Sequence, residues 1–254
     1  MLYVSFWHQK DSARIFGIAD VHIGSPKSRY KQLVEFLKEN DDAFVIFLGD
    51  VIDNAIADSV SNVYEQTMSP ERALFLFVEL LKICEGRVLG VVSGNHEERT
   101  KKRVGVDLLS VVCEERGVPY SEDILIVDFQ VGSGVSRGSK KRIQYTLVCG
   151  HGYSSARGIG AKITGNGRLI DVVVNGDVYL TAHTHQPSVV KFARFEADTR
   201  NKKILQREAY LVTVPSWLDY EHYAASKFMH PSAGGYVCVE LSGTQKDIKI
   251  TMGG

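Results

Sequence analysis

The sequence predicts an α/β protein built on a parallel or mixed sheet. Short unbroken apolar runs such as Phe44-Val45-Ile46-Phe47-Leu48 read as strands buried on both faces. Between them, apolar residues recur at helical spacing, as at Leu33, Phe36 and Leu37 and again at Leu74, Phe77, Val78 and Leu81. The 254 residues, 44% apolar and 24% charged, suffice for a sizeable core in a globular chain.

Taken in order, residues 1–8 are apolar and aromatic and suit an edge strand, and 14–19 form the first core strand. Residues 28–40 have helical spacing, and 43–48 form the second core strand. Residues 55–68 are polar and ambiguous between helix and loop. Ser69-Pro70-Glu71 is a helix start, with an N-cap, proline at the first position and an acid in the first turn. That helix runs to about Cys84, and Glu85-Gly86 closes it. A third core strand covers 87–92, and 105–116 reads as a helix stopped by Gly117 and Pro119. Strands follow at 124–129 and 143–149, joined by a Gly-, Ser- and Arg/Lys-rich turn over 132–141. The glycine-rich stretch 153–167 is expected to be a loop over the site, with a short helix to about Val173. Residues 177–182 form another strand, and 189–195 with 204–214 a hairpin about Asp198-Thr199-Arg200-Asn201. Residues 216–231 are aromatic and irregular, and strands at 236–241 and 248–251 end the chain. No repeat, linker or low-complexity tract interrupts it, so a single domain over 1–254 is expected.

Thirty basic and thirty acidic residues leave no net charge, which argues against a protein held to nucleic acid by bulk attraction. The four cysteines, Cys84, Cys113, Cys149 and Cys238, are scattered without CxxC spacing and read as buried thiols rather than disulfides. No apolar run approaches the roughly 20 residues of a membrane span, and no basic-then-apolar leader opens the chain, so a cytoplasmic setting is expected.

Five apolar runs end in polar residues of one chemical kind. They lead into Asp20-Val21-His22, Asp50-Val51-Ile52-Asp53, Gly94-Asn95-His96-Glu97, Gly150-His151 and His183-Thr184-His185. A carboxylate at the end of a buried strand is unfavourable unless something pairs with it. Asp, His and Asn suit hard or borderline divalent ions, and no thiolate stands among them. Asp20, His22, Asp50, Asn95, His151, His183 and His185 are more ligands than one ion takes. They suit two ions sharing a carboxylate, the device that drives in-line displacement at phosphorus with ions about 3.5–4 Å apart.

These five segments, in this order and each at a strand end, resemble the motifs of the calcineurin-like metallophosphoesterases. The resemblance spans residues 20–185 and implies a four-layer α/β/β/α sandwich of two mixed sheets. It implies that Asp20, His22 and His185 bind a first metal, that Asn95, His151 and His183 bind a second, and that Asp50 bridges them. His96 would be the general acid, or at least a donor to the phosphoryl group, and Asp53 would hold its ring. Manganese is the first expectation, with iron, zinc, nickel or magnesium as alternatives. Asn54 stands where protein phosphatases of the superfamily carry a phosphate-binding Arg, so Arg99, Arg157 and Lys162 become the candidates for that contact. Ala182 replaces a usual Gly, and Tyr153 stands where many relatives have His.

The activity expected is hydrolysis of a diester or nucleotide-type phosphate ester by metal-bound hydroxide, with a small phosphate ester or nucleotide as substrate and no membrane partner. Three alternatives accompany it. A phosphomonoesterase would share the motifs. A repair-type nuclease would share Asp20-Val21-His22-Ile23-Gly24, though the chain after His185 leaves little room for an added DNA-binding region. A non-catalytic binding module on the same scaffold would have no need of His96. The run Arg99–Arg103 reads as a solvated face, Trp217, Tyr220 and Tyr223 as packing at a sheet edge, and His8, His222 and His230 as structural or exposed.

Overall fold

The computed structural model describes the chain apart from residues 58, 60–62, 135–141, 155, 157, 221–229 and 232. The turn expected over 132–141 falls largely outside the described residues, as do Arg157, His222 and Tyr223.

Two six-stranded mixed sheets form the centre. In chain order the strands are β1 Leu2–His8, β2 Ser12–Ile18, β3 Phe44–Leu48, β4 Val88–Val92, β5 Tyr120–Ser121, β6 Ile124–Val131, β7 Ile143–Gly150, β8 Val178–Thr181, β9 Ser188–Asp198, β10 Lys203–Thr213, β11 Tyr236–Ser242 and β12 Ile248–Gly253. One sheet runs β12-β11-β2-β3-β4-β5, with β2 to β5 parallel, and the other runs β1-β6-β7-β8-β10-β9. The helices are α1 Tyr30–Glu39, α2 Pro70–Ile83, α3 Glu98–Val104, α4 Leu108–Arg116 and α5 Ile159–Val172.

Three apolar clusters make this a four-layer α/β/β/α sandwich. The first lies between the sheets, joining Ile15, Ile46 and Leu89 to Leu125, Leu147 and Leu180. The second seats α1, α2 and α4 on the first sheet, with Leu37, Phe77 and Leu109 against Phe47 and Val91. Phe47 and Phe77 meet edge to face at 5.4 Å, and burying a side chain of that size is worth about 1.5–3 kcal/mol. The third seats α5 on the second sheet through Ile163, Leu169 and Ile170. Helix α2 starts as expected: Ser69 Oγ accepts from Arg72 N, and Ala73, Phe77, Leu80 and Leu81 form its buried stripe. Strand β1 is an edge strand, and β9 and β10 form the expected hairpin. All four cysteines are free and buried.

Two expectations are corrected. Residues 153–167 are not one loop, because α5 begins at Ile159 and passes through Gly160, Gly165 and Gly167. Each helical glycine costs about 1 kcal/mol relative to alanine, and packing on the second sheet offsets this. Gly165 also has a steric reason: a Cβ there would lie 2.7 Å from the Tyr153 carbonyl. The second correction is α3, a helix over Glu98–Val104 that apolar periodicity did not reveal because it buries no residue. The helix placed at 105–116 accordingly begins later, capped by Asp107 on Ser110 N. Among the described residues no helix is long and apolar enough to cross a membrane.

Candidate metal centre

The segments after β2, β3 and β4 in one sheet, and after β7 and β8 in the other, converge at one end of the sandwich. Beyond their strands the first two run side by side: Asp20 N donates to Gly49 O, His22 N to Asp50 O and Ile23 N to Val51 O, at 2.9–3.1 Å. Gly94 packs against Gly49, where an added Cβ would meet Gly94 N at 2.7 Å. A Cβ on Gly94 would meet both Asp50 N and Asp50 Oδ1 at 2.2 Å, so only glycine permits this approach.

Backbone strain concentrates here. Asp20, His22, Asp50, Asn54, His183 and His185 all have φ between 46° and 65°. Such a left-handed conformation costs of order 1–3 kcal/mol per non-glycine residue and persists where the surroundings enforce it.

Three overlapping groups have ligand atoms within 4.8 Å of one another: Asp20, His22 and His185; His22, Asp50 and His96; and Asp50, His151 and His183. Asn95 joins the third, its Oδ1 lying 3.1 Å from His151 Nε2. His183 Nδ1 is 3.2 Å from the same nitrogen. Backbone and carboxylate acceptors set the ring tautomers. His151 Nδ1 donates to Leu48 O at 2.7 Å and His22 Nδ1 to Asp53 Oδ1 at 3.1 Å, so both rings turn Nε2 inward. Among the described residues, His22 Nε2 and Asp20 Oδ1 are buried without a hydrogen bond, although Asp20 Oδ1 lies 3.2 Å from His185 Nε2. Inward-facing acceptors of this kind fit a cation better than they fit one another.

The electrostatics agree. Burial opposes charge on Asp50, yet His151, His96 and His22 hold its pKa well below the usual carboxylate range. Burial likewise opposes charge on Asp20, and His185 and His151 outweigh it. Burial disfavours a charged His151, but Asp50 and Asp20 raise its pKa to about 10. His183 and His22 are shifted down, chiefly by burial.

His96 sits at the edge of this cluster, its ring centroid 4.3 Å from that of His22. Asp53 contacts its ring mainly through its main chain: His96 Nδ1 donates to Asp53 O at 2.7 Å, with Oδ1 at 3.1 Å. Gln66 Nε2 donates to the other oxygen of Asp53 at 2.8 Å. Arg99 is beside His96. Its Nη2 donates to His96 Nε2 at 2.9 Å and its Nη1 to Asp53 O at 3.0 Å. The Asp50 and Asp53 carboxylates outweigh burial and raise the His96 pKa, and a proton taken up on Nε2 would displace Arg99. Lys162 stands on α5 rather than a loop, and donates to Thr184 O at 3.1 Å, bracing the segment between His183 and His185.

Three supporting residues were not identified from the sequence. Glu97 is buried and takes three backbone N–H groups: Asp50 and Gly94 on Oε2 at 3.0 and 2.9 Å, and Ile52 on Oε1 at 3.1 Å. Burial and the charge of Asp50 push its pKa up, against the amides. Asn54 donates to His96 O at 2.7 Å and accepts from Thr100 Oγ1 at 3.0 Å. Asn166, buried on α5, joins Tyr153 N, Ala182 O and Thr213 Oγ1. Glu97 had a signal in its place directly after His96, whereas Asn166 had none.

The chain belongs to the calcineurin-like phosphoesterases, whose family model matches residues 13–187. No curated protein sequence matches it significantly. Among solved structures, it is similar to Yfce, a phosphoesterase from E. coli, at 14% identity and a TM-score of 0.42, covering 94% of this chain and 98% of that one. Vps29 from Entamoeba histolytica, complexed with zinc, aligns at 10% identity and a TM-score of 0.45, covering 94% and 97%. A conserved Streptococcus pneumoniae protein, a predicted phosphoesterase, aligns at 15% and 0.39, covering 95% and 98%.

Proposed function

We propose that this chain hydrolyses phosphate esters with two divalent ions, manganese before iron, zinc, nickel or magnesium, and that it favours diesters or nucleotide-type esters. The observation that carries the reading is the overlap of three ligand groups through His22 and Asp50. Asp20, His22, His185 and Asp50 would hold one ion, and Asp50, Asn95, His151 and His183 the other. Divalent ions held there supply Lewis acidity toward phosphoryl oxygens and toward a water.

The chain's own groups do the rest. The centre opens toward solvent at Asn95, His96, His183 and His185, which are less buried than Asp20, Asp50 and Glu97. His96 Nε2, once released by Arg99, meets the leaving oxygen as proton donor or hydrogen-bond donor. The Asp53 carbonyl keeps its ring in place. Arg99 moves from Nε2 to a phosphoryl oxygen, supplying the cation that Asn54 does not. The absence of Arg at position 54 favours diesters and nucleotide-type esters over phosphoproteins.

The test is to strip the protein of metal, reload it with manganese and compare bis-p-nitrophenyl phosphate with p-nitrophenyl phosphate. Faster cleavage of the diester supports the proposal, and faster cleavage of the monoester reassigns the protein as a phosphomonoesterase. No cleavage of either with two ions bound overturns the enzymatic reading.

A further inference from the structure

The candidate ligands come from two sheets. Asp20, His22, Asp50 and Asn95 follow β2, β3 and β4 of the first, and His151, His183 and His185 follow β7 and β8 of the second. Glu97 and the side-by-side backbones after β2 and β3 tie the first group together. In the second group one backbone bond continues past the strands, from Ala182 N to His151 O at 2.9 Å. Further out, helix α5 joins the two segments.

Asn166 on α5 is 2% exposed. Its Oδ1 accepts from Tyr153 N at 3.2 Å, just beyond His151. Its Nδ2 donates at 3.2 Å to Ala182 O, directly before His183, and to Thr213 Oγ1. Gly152 makes room for it: a Cβ there would stand 2.6 Å from Asn166 Oδ1 and 3.0 Å from Ala182 O. About one turn earlier, Lys162 Nζ donates to Thr184 O, between His183 and His185. Residues at i and i+4 share a helix face, so both side chains reach out from one side of α5. Gly165 lies between them, and the Tyr153 carbonyl packs where its Cβ would be. The glycine that weakens the helix is what lets it approach the ligand segments.

An apolar side chain would serve packing alone. A buried amide that meets a donor on one segment and an acceptor on the other fixes their separation, because both bonds form only at one spacing. We propose that α5 positions half of the candidate metal centre: Asn166 holds His151 and His183 as one unit, and Lys162 steadies the turn between His183 and His185. The ion reached through Asn166 is the one assigned to Asp50, Asn95, His151 and His183, since both imidazoles of that set lie on the segments it joins. The other set takes only His185 from this side. Asn166 and Lys162 are positioning residues, and their assignment rests on the two-ion reading.

The test is calorimetric titration of the metal-stripped full chain with manganese, and metal analysis after reloading. The proteins are the unaltered chain, Asn166→Leu, Lys162→Met and Ile170→Ala. Leucine keeps the branched shape of asparagine and makes neither bond. Ile170→Ala loosens the apolar seat of α5 and touches none of these bonds. Asn166→Leu should weaken one of the two binding steps about 10–100-fold and leave the other within about threefold. Lys162→Met should weaken each step about two- to tenfold, the worth of one hydrogen bond, because the residues flanking Thr184 belong to different sets. Ile170→Ala should leave both steps within about threefold of the unaltered chain. Two unchanged steps in Asn166→Leu overturn the proposal. So does an equal loss of both steps there, or the same loss in Ile170→Ala, since loosening of the helix then suffices. If Asn166→Leu does not fold, Lys162→Met decides, and unchanged steps there overturn the proposal. An unaltered chain that binds fewer than two ions is a separate result: the two-ion reading falls, and this inference with it.

Discussion

Replacing Glu97 separates the framework of the candidate centre from its ligands. Oε2 accepts from Asp50 N and Gly94 N, and Oε1 from Ile52 N. In Glu97→Gln the amide oxygen can take the Oε2 position and keep two of the three bonds. The amide nitrogen then faces Ile52 N–H donor to donor, leaving Ile52 N–H and an amide N–H unmet. An unmet buried donor costs about 1–3 kcal/mol, so Glu97→Gln should lose at least that much stability. Glu97→Ala leaves three donors unmet and should lose about 3–6 kcal/mol, a large share of a typical 5–15 kcal/mol, if water repairs part of the site. Because Asp50 N is among the three, metal affinity should fall with stability. The assay is urea unfolding in a chelator, to remove any metal contribution, followed by manganese titration of the folded Glu97→Gln protein. A Glu97→Gln stability within 0.5 kcal/mol of the parent, on the order of the scatter of neutral surface changes, would refute the assignment of these bonds.

Two further substitutions test the proposed roles. Asp50→Ala should abolish binding of both ions, measured by metal analysis after reloading, and retention of two ions would remove the bridging role. His96→Ala should lower turnover of esters with poor leaving groups about 10²–10⁴-fold while esters with good leaving groups lose far less. Equal losses across a series of leaving-group pKa values would exclude His96 as the general acid.

Local signals account for what was legible in the sequence. The apolar runs of β2, β3, β4, β7 and β8 and the polar residues closing them are contiguous, so strand ends could be read directly. The Ser69-Pro70 start of α2 is a local hydrogen bond and a local dihedral, and it too was legible. The order of the five motifs pointed to the family and, through it, to the paired sheets. Helix α3 was missed because it buries no side chain and so leaves no periodic trace. The sequence places only the end of helix α5 in a helix and its first part in a loop, because three glycines lower the intrinsic propensity there and packing against the second sheet makes it helical.

The linear chain carries the chemical inventory: which Asp, His and Asn side chains stand at strand ends, and that no thiol stands with them. The tertiary structure decided how they meet. His183 N reaches Asp20 Oδ2 across 163 residues, His151 Nδ1 reaches Leu48 O across 103, and Glu97 gathers amides from two other positions of the chain. It also decided that Arg99 lies on His96 and not in solvent. Those outcomes depend on the close approach of Gly49 and Gly94 and on six strained backbones held by their neighbours. Such contacts arise only when distant segments are packed together, and no local pattern of residues encodes them.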